Sequence, residues 1–73
     1  MADDQLDVDG MLARFRDRAD AVRRRPLPPV AGPERQQFVD QAQLDFQDYA
    51  LIGDARWTFV DGVLTLTIDL RPS

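Results

Sequence analysis

Four prolines stand among the eight residues from Pro26 to Pro33, and they cut the chain into two parts that cannot share one regular element. Each proline fixes its own φ and removes a backbone donor, and the residue before it is pushed away from helical angles. Residues 26–33 therefore read as a stiff, extended linker of polyproline character. Whatever lies before it and after it must fold as separate elements and meet by packing.

Upstream, residues 8–25 carry a helical repeat. Val8, Met11, Leu12, Phe15, Ala19 and Val22 recur at steps of three and four, which gathers them within an arc of roughly 100°. Asp7 or Asp9 is placed to cap the first turn, and Gly10 weakens it. Arg23-Arg24-Arg25 suits the negative end of the helix dipole, and Pro26 stops the helix. Arg14, Arg18 and Arg25 line one flank of the apolar stripe, with Arg16 and Arg23 on the other.

Downstream, residues 34–50 predict a second helix. Phe38, Val39, Ala42, Phe46, Tyr49 and Ala50 share a face, five glutamines favour helix, and Pro33 and Glu34 suit its first turn. Gly53 is a plausible terminator. The competing reading turns Leu44–Ile52 into a strand, giving one helix and a three-stranded antiparallel meander. The four-turn persistence of the 38–50 stripe favours the helix.

Residues 55–70 predict a β-hairpin. Asp61-Gly62 is a type I′ turn sequence. It pairs Val60 with Val63, Phe59 with Leu64, Trp57 with Leu66 and Ala55 with Ile68. Alternation then sets Ala55, Trp57, Phe59, Leu64, Leu66 and Ile68 on one face, opposite Arg56, Thr58, Thr65 and Thr67. Pro72 ends the second strand. The expected fold is a small single α+β domain, in the order helix, Pro-rich linker, helix, β-hairpin. Its expected divisions are an acidic N-terminus with a detachable Arg-rich helix (1–25), the linker (26–33), and a helix-plus-hairpin mini-core (34–73). Phe38, Ala42, Phe46, Tyr49, Trp57, Phe59 and Leu66 would fill that core.

Composition narrows the function. The 73 residues contain no cysteine, histidine or lysine. Thiolate nucleophiles, Ser–His relays and amine nucleophiles are thereby excluded, as are disulfides and the commonest transition-metal ligands. The lone serine is Ser73. Carboxylates remain, twelve Asp and Glu34, but no spacing marks an acid/base pair. Asp7-Val8-Asp9-Gly10 resembles part of a calcium loop, yet the twelfth position would be Arg16, which cannot ligate the ion. No catalytic residue, metal or cofactor is expected. All nine basic residues are arginine and asparagine is absent, a bias that points to a GC-rich bacterial or phage genome. No apolar run reaches membrane-spanning length, and the acidic start differs from a signal peptide, so a cytoplasmic protein is the default.

Binding is the remaining class. A chain this short buries little surface alone. Val8, Met11, Leu12, Phe15, Ala19 and Val22, shouldered by Arg14, Arg18 and Arg23, are the candidate partner-binding residues. They suit an apolar groove flanked by acids, on a larger protein or on the chain's own helix 34–50. The expectation is a non-catalytic accessory subunit or adaptor. Alternatives are a self-associating, antitoxin-like or nucleic-acid-linked regulator that uses the Arg-rich helix, with a homo-oligomer through the hairpin edge, and a carboxylate site formed across a homo-oligomer interface. Nucleic acid is disfavoured, because acidic blocks flank the arginines and would repel phosphate. Arg23–Pro29 also matches a basic, proline-rich groove ligand, but a spacer explains it more simply.

Overall fold

A computed structural model describes residues 6–72; the acidic start at residues 1–5 and Ser73 lie outside them. The order of elements is α1 (Val8–Arg23), α2 (Gly32–Gly53), β1 (Arg56–Val60) and β2 (Val63–Thr67). This is the expected α+β arrangement of helix, linker, helix and hairpin.

Asp7 caps α1: its carboxylate accepts from the Gly10 backbone N–H at 3.0 Å, satisfying one of the free donors of the first turn. α2 opens on Gly32-Pro33, where proline's missing donor costs nothing. It then runs unbroken through Leu44–Ile52 to Gly53, so the three-stranded alternative does not form. Gln36–Asp40 and Gln41–Asp45 side-chain bonds, both 2.8 Å, support its solvent face at i,i+4 spacing.

The strands pair antiparallel in the register read from the turn, from Val60↔Val63 to Arg56↔Thr67. Asp61 (φ 52) and Gly62 (φ 79) both take positive φ, as a type I′ turn requires.

The core lies between the two helices. α1 packs antiparallel along the C-terminal half of α2, and the other main set of contacts joins β1 to β2. Among the described residues, the buried apolar side chains are Val8, Leu12, Ala19 and Val22, all on α1. Burial is thus distributed differently from the expected mini-core at 34–73. Trp57 is 37 % exposed, Phe38 44 % and Phe59 56 %. Ala42, Phe46, Tyr49 and Leu66 are half-buried. The reason is that α2 has a single apolar stripe, and α1 occupies it. The helix expected to be separable supplies the core.

Gly53 differs from its expected role as well. It does not take the left-handed conformation of a glycine terminator; Asp54 caps the helix instead. Gly53 is buried where α1 crosses, and a Cβ there would lie 3.1 Å from the Arg16 backbone nitrogen and 3.3 Å from its Cα. Glycine is needed for the close approach of two backbones, not for the turn.

Candidate protein-binding surface

The predicted binding seam is already occupied. Val8, Leu12, Ala19 and Val22 are buried, and Met11 and Phe15 are half-buried. The Phe15 ring tilts against Tyr49 of α2, centroids 6.0 Å apart. The groove that receives the seam is the chain's own α2, one of the two occupants expected from sequence.

The arginine shoulders are engaged around the same seam. Arg23 lays its guanidinium over the Phe46 ring at 4.4 Å, and Arg18 lies over Phe15 at 5.1 Å, both within cation–π range. Arg25 pairs with Asp45 at 3.1 Å. Arg16 donates to the Gly53 carbonyl oxygen. Arg14 remains exposed on the outer side. The basic, proline-rich stretch is likewise drawn inward: Arg25, Pro26, Leu27 and Pro28 border a hollow against Phe38, Gln41 and Ala42 of α2. Its arginine and proline face the same molecule, as a spacer's would.

The surface left open is the β-hairpin. The register sets Trp57, Phe59, Leu64 and Leu66 on one face. Trp57 and Phe59 are exposed, and Leu64, Leu66 and Ile68 are half-buried. Val60 and Val63, at 62 % and 61 % exposed, stand beside the turn on the other face. One polar contact ties this sheet to the helices: the Trp57 indole Nε1–H donates to Asp9 Oδ1 at 3.0 Å. Asp9 stands at Trp57 and Asp61 lies in the turn at the hairpin tip, whereas Asp54, just before β1, lines the hollow between the helices with Arg16 and Phe46.

Sequence reasoning identified the hairpin face but assigned it to the core. The Trp57–Asp9 bond was not anticipated, because Asp9 reads equally well as a helix cap. Among the described residues, no group of three or more carboxylates converges as metal ligands would, and no helix is long and apolar enough to cross a membrane. No known protein family, characterised protein or solved structure matches the chain.

Proposed function

We propose that the chain is a non-catalytic accessory module that binds another protein through the apolar face of its hairpin. Trp57 and Phe59 are the anchors, and the partner is an apolar surface rimmed by cations. This moves the binding surface from α1, whose seam is spent inside the chain, to the hairpin face on which Trp57 and Phe59 stay exposed.

The observation that carries the reading is the exposure of two aromatic side chains on one sheet face, Trp57 at 37 % and Phe59 at 56 %. Exposed aromatic side chains are also the commonest interface anchors. The carboxylates at Asp9 and Asp61 supply the charge argument for a cationic rim, since complementary rims steer encounter and exclude wrong partners.

A photo-cross-linking amino acid placed at Phe59, in the cells that make the protein, tests this. The expected result is a discrete cross-linked species containing a second, different protein, absent when the same group replaces the exposed Asp20 of α1. Trp57→Asp should remove the species while leaving helical circular dichroism intact. Cross-linking from position 20 with none from position 59 overturns the reading.

A further inference from the structure

The hairpin has a second open feature besides its face, namely its edges. A two-stranded sheet leaves the outer side of each strand unpaired, and natural edge strands are normally guarded by charge, proline or a bulge. β1 carries Arg56. β2 carries no guard: the stretch Gly62–Ile68 is free of charge and proline, and five of its seven residues are β-branched or leucine in strand conformation, Val63-Leu64-Thr65-Leu66-Thr67.

The turn determines which backbone groups point outward. In a two-residue hairpin the residues flanking the turn exchange hydrogen bonds, and pairs then alternate. With Val60↔Val63 as the closing pair, Thr65 and Thr67 bond inward to β1. The N–H and C=O groups of Leu64 and Leu66 therefore face away from β1, and Ile68 follows directly on the end of β2 at Thr67.

We infer that the outer edge of β2 pairs antiparallel with β2 of a second copy of this chain, about a two-fold axis at Leu66, to form a four-stranded sheet. A two-fold at Leu66 sets Leu66 against Leu66 and Leu64 against Ile68 of the partner copy, so outward-facing groups meet outward-facing groups. The apolar side chains of both copies then continue one face. Charge selects this register over its neighbour. A two-fold at Thr65 brings the Asp61 turn of one copy beside Asp69 of the other, a like-charge approach. At Leu66, the Asp61 turn instead comes beside the bend at Arg71 of the other copy, twice by symmetry. Arg71 is suited to this: Asp69 holds its Nε and Nη2 at 2.9 and 2.7 Å, leaving Nη1 outside that fork, and its side chain is 86 % exposed. The pairing uses the sheet edge and does not depend on the proposed partner for the face.

The experiment is amide exchange and sedimentation equilibrium on the purified full chain across a concentration series. The expected result is a reversible dimer in which the Leu64 and Leu66 amides become protected as concentration rises, while those of Trp57 and Phe59 stay fast. Arg71→Glu, on an exposed position away from both hairpin strands, should raise the dimer dissociation constant about tenfold at low salt, as two weak surface pairs become repulsive. Thr65→Lys, which guards the edge with charge, should leave a folded monomer. A chain that stays monomeric at every concentration overturns the proposal, and so does a dimer that protects Trp57 and Phe59 instead. An undiminished dimer in Arg71→Glu overturns the register.

Discussion

The molecule is two antiparallel hairpins in series, one of helices and one of strands, and they meet opposite fates. Each has an apolar face that the sequence pattern announces clearly. In the helical pair the two faces close on each other, and Leu12 retains only 3 % of its exposure. In the strand pair the two apolar rows lie side by side on one surface, and Phe59 keeps 56 %. The difference is geometric. Two helices have convex stripes that can turn toward one another, whereas paired strands point their apolar side chains the same way. A helical hairpin can complete its own core; a β-hairpin always needs a third body.

That contrast is open to direct attack. Leu12→Ala should cost about 2–5 kcal/mol of stability, the range for a buried leucine, while Phe59→Ala should cost less than about 1 kcal/mol because most of its surface is already wet. Chemical denaturation of both variants, at a concentration where self-association is absent, makes the comparison. Equal losses would mean that the hairpin face is covered within the monomer.

A smaller effect probes how closely the helices approach. Gly53→Ala inserts one methyl against the Arg16 backbone and should destabilise by about 1–3 kcal/mol, as overpacking does. Gly62→Ala, at a position with open space but positive φ, should strain the turn and leave the helical pair intact. Tyr49 fluorescence or ring chemical shifts, read beside Phe15, separate the two.

The smallest effect lies beyond β2. Side-chain and backbone hydrogen bonds from Arg71 hold the Asp69 carboxyl below its ordinary value of 3.8. A depressed folded value means that the favourable contribution is present above the unfolded value and is lost as pH falls through the folded one. Both groups are fully exposed, so stability should barely respond. A carboxyl titration followed by NMR should place the Asp69 midpoint below the ordinary aspartate value, and Arg71→Gln should return it. An ordinary midpoint with Arg71 present would show that the fork does not persist in solution.

The strand register was legible to the residue because two independent signals agreed, the Asp61-Gly62 turn and the alternation on either side of it. The six-residue seam of α1 was equally legible from its period. What the seam packs against was not, since periodicity says which residues share a face and nothing about which face covers it. Three apolar faces were available, on α1, α2 and the hairpin, and pairing α2 with the hairpin was as consistent with the pattern as pairing it with α1. The linker decided between them: eight residues reach back far enough to lay α1 along α2, and Leu27 follows it onto the surface bordered by Val39, Ala42 and Phe46. Gly53 was misjudged because a glycine at a helix end has two uses, and only the crossing backbone distinguishes them.

The Arg16–Gly53 contact has a consequence for how the chain assembles. The last turn of α2 contains no basic residue of its own, although its terminal carbonyls carry partial negative charge. The cation that meets them comes from the middle of α1, thirty-seven positions earlier. Helix α2 taken alone lacks that support and should fray at the end from which the hairpin departs. Docking of α1 thus does more than fill a core: it brings a cation to the last turn of the second helix, three residues before β1 begins.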